Sequence, residues 1–382
     1  MNRLDLTHLK IWVIDPLDCT DRDDAFSLSY EDENTILWLF IADPTSEFTN
    51  GPDTEFENLT SKITTKYYID NTPDHLFPEY IVKKYSLDIG IKPAICIKVI
   101  FDNNLFIISD EILFVEIKIT ETLSYQHTIM TDELANCIKI SNILFDNRIG
   151  SGKILKDYKL ALPIKNINQE WILHLDDMNT NNLKNMIAEF AILANQIVAK
   201  KINVNFNRIC ENIQPINDPQ LFLQSIILNN KKASYEISKE KHLLIDDKVY
   251  THFTSPLRRK SDCIVHFLLK GFYIPINQLI DTCEHINTIV RNDKKRQYNE
   301  IKKYTIKAMS YMPKPIKVKL RVNSTFGKFV NLILCTINEF PVQISIVIVT
   351  KQIIPTEFET LIQDVNLNGI YDTDILIGLI TN

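Results

Sequence analysis

The sequence predicts an α+β fold, a mixed sheet with surrounding helices, followed by a small all-β domain. Three observations predict it. Early in the chain, short apolar runs alternate with polar turns. Later segments repeat their apolar residues at helical spacing. After Met312-Pro-Lys-Pro315 the strand-like pattern returns. The expected domains are therefore residues 1–312 and 313–382.

The elements follow in order. Leu9 to Ile14 reads as a short strand ending at Asp15. Ala25 to Tyr30 alternates apolar and polar residues, and Glu31-Asp32-Glu33-Asn34 turns the chain into Ile36 to Ala42. Ile112 to Ile119 reads as a further strand. Leu183, Met186, Ile187, Phe190, Leu193, Ala194, Ile197 and Val198 share one face of an amphipathic helix, with Glu189 at the edge of the stripe. Val249 to Phe253 looks like a strand. Ser255 would cap a helix opening at Pro256 and running through Ile264, Val265, Leu268 and Leu269. Arg291 to Lys303 is helix-like. Ile316 to Val322, Lys328 to Leu334, Val342 to Val349 and Ile375 to Ile380 are the strand-like runs of the last domain.

Composition bounds the chemistry. With 382 residues and 45% hydrophobic content, the chain can bury a large core. No apolar run reaches the length of a membrane span, and no signal sequence opens the chain. Seven scattered cysteines without a Cys-x-x-Cys pair point to a reducing, cytoplasmic compartment. The net charge of −6 runs against nucleic-acid binding by the surface as a whole, so a basic channel inside an acidic shell would be needed. Lys83-Lys84, Lys231-Lys232 and Arg291 to Lys303 are the basic elements, although such runs are ordinarily solvated faces.

Asp15, Asp21, Asp23 and Asp24 fall within ten residues. Aspartate runs are ordinarily acidic surface loops, and this one lacks the glycine and glutamate of an EF-hand. Carboxylates this crowded repel unless a cation sits among them, and oxygen ligands without His or Cys favour Mg²⁺ or Mn²⁺. A second segment, Tyr250-Thr-His-Phe-Thr-Ser-Pro-Leu-Arg-Arg259, places Arg258 and Arg259 in the first turn of the expected helix, where cations oppose its dipole. A phosphate there would resolve the conflict; the alternative is pairing of both arginines with Asp262.

The two segments together resemble the ribonuclease II family, whose RNB domain carries Ile-Asp-Pro…Asp-x-Asp-Asp-Ala and Tyr-Thr-His-Phe-Thr-Ser-Pro-Ile-Arg-Arg. Phe40-Ile-Ala-Asp-Pro44, Leu76-Phe-Pro-Glu79, Leu123-Ser-Tyr125 and Ile187-Ala-Glu-Phe-Ala-Ile-Leu-Ala-Asn195 are similar to its intermediate motifs, so the resemblance spans about residues 8 to 310. It implies 3′→5′ hydrolysis of single-stranded RNA to 5′-nucleoside monophosphates. Two metal ions would serve the attacking and leaving oxygens. Asp15, Asp21, Asp23 and Asp24 become the metal ligands, with Asp23 the least replaceable, and Arg258 the grip on the scissile phosphate. Tyr125 and Glu189 would hold the 3′-terminal nucleotide, Tyr68 would stack on a base, and Arg259 would add a phosphate contact. His252 and His266 are expected to be structural.

Departures from the family pattern carry expectations too. The metal motif begins at Asp15, where relatives carry cold-shock domains first. The resemblance thus implies a minimal enzyme, a fragment, or a subunit whose RNA funnel comes from a protein partner. The Arg-x-x-x-Gly-Ala-Leu motif is blurred at Arg148 to Leu155. The last domain has the size of an S1-type OB barrel; a partner-binding β domain would fit the same pattern. The alternatives to an exonuclease are a non-catalytic RNA-binding relative and an endonuclease or DNA-directed variant.

Overall fold

A computed structural model describes residues 2–69, 72–126, 128–149, 164–167, 170–173, 178–210, 233–240, 242, 249–313, 316–326, 331–337, 344–350, 357–362 and 375–378. The chain divides into two compact units. The first comprises Met1–Lys66, Pro73–Lys156 and Asp177–Arg291, and the second Tyr67–Thr72, Asp157–Asp176 and Asn292–Asn382.

The first unit is built on a mixed five-stranded sheet. Its strands are β1 (Leu4–Asp5), β3 (Asp24–Glu31), β4 (Asn34–Ala42), β5 (Gly90–Phe101) and β6 (Ile107–Ile119), in the order β1-β6-β5-β4-β3. β1 runs parallel to β6, and the other pairs are antiparallel. The hairpin from β3 to β4 turns where the sequence predicts: Glu31 pairs with Asn34, and Asp32 takes the positive φ (52°) that short polar residues tolerate. Ile36 to Ala42 is buried on both faces, as its unbroken apolar run requires.

Helices surround this sheet. They are α1 (Thr54–Leu59), α2 (Glu79–Tyr85), α3 (Asp132–Ile149), α4 (Met178–Lys201) and α5 (Lys260–Leu269), with a 3₁₀ turn at Pro44–Glu47; α6 (Ile276–Tyr311) starts in the first unit and ends in the second. α4 buries the predicted stripe: Phe190 meets Phe26 of β3 edge-on at 5.6 Å. Lys92, nearly buried, donates to the carbonyls of Lys83 (3.2 Å) and Lys84 (3.1 Å) and so satisfies the end of α2. Among the described residues no helix is long and apolar enough to cross a membrane.

Two short pairings also belong to the first unit. β2 (Ile14–Asp15) runs parallel to β7 (Leu123–Ser124), and β10 (Phe206–Ile209) pairs antiparallel with β11 (Ser234–Ile237). In the second unit β8 (Ile164–Ile167) and β9 (Glu170–Leu173) form an antiparallel pair. There too β12 (Ile316–Phe326), β13 (Asn331–Ile337), β14 (Ile344–Thr350), β15 (Glu357–Ile362) and β16 (Ile375–Gly378) form one sheet, ordered β15-β12-β13-β14-β16. Only β14 and β16 are parallel in it.

Three local expectations are corrected. Of Leu9 to Ile14, only Ile14 is in a strand, and Trp12 makes an isolated bridge to Phe26. Val249 to Phe253 is not a strand; Asn195 of α4 holds it instead, its side-chain oxygen accepting from the Phe253 N–H at 2.7 Å and its amide donating to the Tyr250 hydroxyl at 3.0 Å. The helix after it begins at Lys260, with Arg259 at the N-cap, so Ser255 and Pro256 lie in the preceding turn. Lys231-Lys232, Gly150 to Leu155 and Gly327 to Val330 lie outside the described residues.

Candidate active site

The acidic loop is pinned at both ends. Asp15 closes β2 and Asp24 opens β3. The loop between them is tied down by Arg22: its N–H donates to the Ser86 hydroxyl (3.0 Å), its carbonyl accepts from Leu87 (3.0 Å), and its guanidinium pairs with Asp88 (2.6 Å). The β2–β7 pairing then brings Tyr125 alongside, its N–H donating to the Asp15 carbonyl at 3.3 Å.

The second motif arrives from the far end of the domain. Asp23 accepts from the Leu257 N–H (2.8 Å) on one oxygen and from Arg258 Nε (3.1 Å) on the other. The late start of α5 follows from a different contact: Arg259 bridges Thr64, and the Arg258 carbonyl accepts from the Thr64 hydroxyl at 3.1 Å instead of from a helical N–H. Thr65 holds the same segment from the opposite side, its N–H donating to the Arg258 carbonyl at 3.0 Å. Arg259 pairs with Asp262 at 2.7 Å, as the alternative reading of that turn has it, whereas Arg258 pairs with Asp23. Asp262 also accepts from the Ser255 N–H at 2.8 Å.

These carboxylates are poorly neutralised. Burial raises Asp15 to about 8, with the Asp24 charge adding to the effect. Burial raises Asp24 to about 6 against the opposing pull of Arg258 and Arg259. Asp23 is pushed well above the ordinary range by burial, which Arg258 and the Leu257 amide only partly offset. Asp15 Oδ2 is buried with no hydrogen-bond partner. Asp21 is nearly buried, with His75 Nδ1 3.6 Å from its carboxylate. The Tyr125 hydroxyl is shifted upward by burial and then by Asp24 and Asp15.

A hard divalent cation fits this donor set in chemistry: the acids supply oxygen, and the orphaned Asp15 oxygen and the mutual repulsion of Asp15 and Asp24 ask for positive charge. As they stand, the described residues bring no three His, Cys, Asp or Glu side chains together closely enough to hold an ion. Asp15 and Asp24 are the acids best placed to take one up, since both oxygens of Asp23 already have donors.

The other sequence-predicted residues divide. Glu189 is not a solvated flank residue but 7% exposed, held by the guanidinium of Arg148 at the end of α3. Sequence reading gave Arg148 no role; its signals were its place at the head of the blurred Arg-x-x-x-Gly-Ala-Leu motif and a cation in the last turn of a helix. Lys184 of α4 lies 5.7 Å from the Tyr125 ring. Tyr68 belongs to the second unit, where Arg296 covers its ring at 4.3 Å. His252 Nδ1 meets the Tyr235 hydroxyl at 2.5 Å, and His266 is fully buried with Nε2 3.0 Å from the Phe253 carbonyl.

Comparison with known proteins gives this geometry a family. The family profile described as RNB domain matches residues 3–222 and 205–274. Ribonuclease R of Buchnera aphidicola is 24% identical over 72% of this chain, and the chain spans 46% of that relative's length. The apo form of Mycoplasma genitalium RNase R superposes with a TM-score of 0.77 at 18% identity, covering 99% of this chain and 72% of that one. The same protein in complex with ribose methylated single-stranded RNA gives a TM-score of 0.76 at 17% identity, covering 96% and 70%. Yeast Ssd1, described as a pseudonuclease, shares the fold at a TM-score of 0.68 and 16% identity, covering 89% and 50%. With its acidic loop and its Arg258 segment meeting at Asp23, and with the profile running across most of the chain, this protein belongs to the RNB domain family.

Proposed function

We propose that the chain is a 3′→5′ exoribonuclease that hydrolyses single-stranded RNA to 5′-nucleoside monophosphates. The observation that carries this reading is the meeting of two motifs more than 200 residues apart, with Asp23 bonded to both Leu257 and Arg258. Asp15, Asp21, Asp23 and Asp24 form the acidic side, and Arg258, 44% exposed, is the cation facing outward to a phosphate. When bound among these acids, Mg²⁺ or Mn²⁺ supplies an activated water and neutralises charge on the attacking and leaving oxygens. The chain's own residues do the rest. Arg258 orients the scissile phosphate and offsets its charge, Tyr125 packs against the terminal nucleotide, and Glu189 accepts from its sugar hydroxyls. Arg259, bonded to Asp262 through Nη2, keeps further N–H donors for a phosphate, and Tyr68 is assigned to base stacking.

Residues 1–312 are proposed as the catalytic domain and 313–382 as a small β domain of S1/OB type. The order β15-β12-β13-β14-β16 supports the latter, because a partly open five-stranded barrel also places its first strand beside its fourth and its third parallel to its fifth. Six free cysteines among the described residues accord with a reducing cytoplasm.

The non-catalytic RNA-binding reading draws on one observation, the acids that do not yet converge, together with the fold likeness to a pseudonuclease. A gel time course with 5′-labelled single-stranded RNA, in Mg²⁺ or EDTA, separates the two. Progressive shortening by the wild type in Mg²⁺ alone, abolished in Asp23→Asn with RNA binding retained, is the expected result. Unshortened RNA that still shifts on a native gel would establish the binding protein instead.

A further inference from the structure

Glu189 occupies an unusual place for a carboxylate. It stands three residues after Met186 and four before Leu193, both buried, so it rides the apolar stripe of α4 rather than its edge. A charge there requires a partner, and Arg148 provides a two-pronged one. Its Nε donates to Oε2 at 3.2 Å and its Nη2 donates to Oε1. Both side chains are nearly buried, at 12% and 9% exposure. The guanidinium is backed by the Phe145 ring at 5.4 Å. It also sits in the last turn of α3, where the helix dipole favours a cation.

Stability alone does not account for this pair. A buried ion pair gains nothing over apolar residues of the same volume, because desolvation consumes the attraction. What a fork does uniquely is fix the plane of the carboxylate. Both N–H groups engage one edge of Glu189, and each oxygen keeps a second lone pair for another donor.

Resting on the nuclease reading above, we infer that Arg148 is a positioning residue for Glu189. It sets the orientation in which that carboxylate accepts from the ribose hydroxyls of the terminal nucleotide. Arg148 thereby contributes to the preference for RNA ends over deoxyribose ends without touching the scissile phosphate.

Binding measurements in EDTA test this without requiring hydrolysis. The full chain is titrated by fluorescence anisotropy against a short single-stranded RNA and against the same RNA ending in a 2′-deoxynucleotide. Wild type is expected to prefer the all-ribose end, and Arg148→Ala to lower that preference about tenfold. Arg148→Lys, which keeps the charge but cannot span both oxygens, should retain part of it. Because Arg148 acts through Glu189, adding Arg148→Ala to Glu189→Gln should change the preference no further. Should Arg148→Ala fail to fold by circular dichroism, the lysine variant carries the test. Equal weakening for both ends, or an unchanged preference, would overturn the positioning role while leaving the nuclease reading intact. A wild type indifferent to the terminal sugar would remove the sugar-binding role of Glu189, and the inference with it.

Discussion

Asp43 and the aspartates of the acidic loop lie in the same compact unit and have met opposite fates. Asp43, fully buried, accepts from Lys270 (2.6 Å), Arg3 (2.5 Å), Thr45 (2.8 Å) and Ser46 (2.6 Å), with His266 Nδ1 3.7 Å away. Burial pushes its carboxyl upward, but His266, Lys270 and Arg3 override that and hold it well below the ordinary range. Asp23 is buried and Asp15 and Asp24 are half-buried, yet all three are raised. Against Asp23 stand the half-exposed Arg258 and the Leu257 amide, and together they offset its burial only in part. The lesson is that burial alone does not mark a functional acid. Asp43 is compensated from all sides and ties the amino-terminal segment and the end of α5 to the sheet. The acids of the loop are left short of positive charge, which is the condition for taking up a cation.

The sharpest break in that comparison is Asp43→Ala. It strands two cations in the interior and is expected to cost about 3–5 kcal/mol in stability by denaturant unfolding. Hydrolysis per folded molecule should persist at temperatures where the variant remains folded. Arg258→Ala should do the reverse, lowering the turnover of RNA roughly 10²–10³-fold with a smaller loss of stability. Arg258→Lys should recover little of it, since an ammonium cannot serve Asp23 and a phosphate in the same plane; full recovery would reduce Arg258 to a mere charge.

The smallest effect concerns pH. Asp15 has a native pKa of about 8 against an ordinary value of 3.8, so the metal-free native state binds the extra proton between those limits. Its contribution to stability is therefore complete below about pH 4 and is lost as pH rises towards about 8. In EDTA, the Tm of Asp15→Asn should gain on that of wild type across this range, by a few degrees at the upper end. Added Mg²⁺ should stabilise the wild type and not the variant. A difference that stays constant with pH would show that Asp15 is already neutralised by the fold.

Much of the fold was legible because its signals are local. The β3–β4 hairpin follows from an unbroken apolar strand and a polar turn, and α4 from its repeating apolar face. The start of α5 was not legible. Ser255 and Pro256 make a sound helix opening by propensity, but the Arg258 carbonyl is spent on Thr64 and Thr65, and no local rule contains those partners. The burial of Glu189 was not legible for the same reason. Its burial depends on the guanidinium of Arg148, 41 residues away along the chain.

The sequence by itself determined which residues could carry the chemistry. The aspartate run, the paired arginines and the spacing of the intermediate motifs are properties of the chain, readable before any contact is known. Tertiary structure alone decided how each is used. It pairs Arg258 with Asp23 and Arg259 with Asp262, and leaves Asp15 Oδ2 without a donor. The physical reason is that a charge's state depends on burial and on which opposite charge folding brings within a few ångströms. Neither quantity exists until distant segments meet.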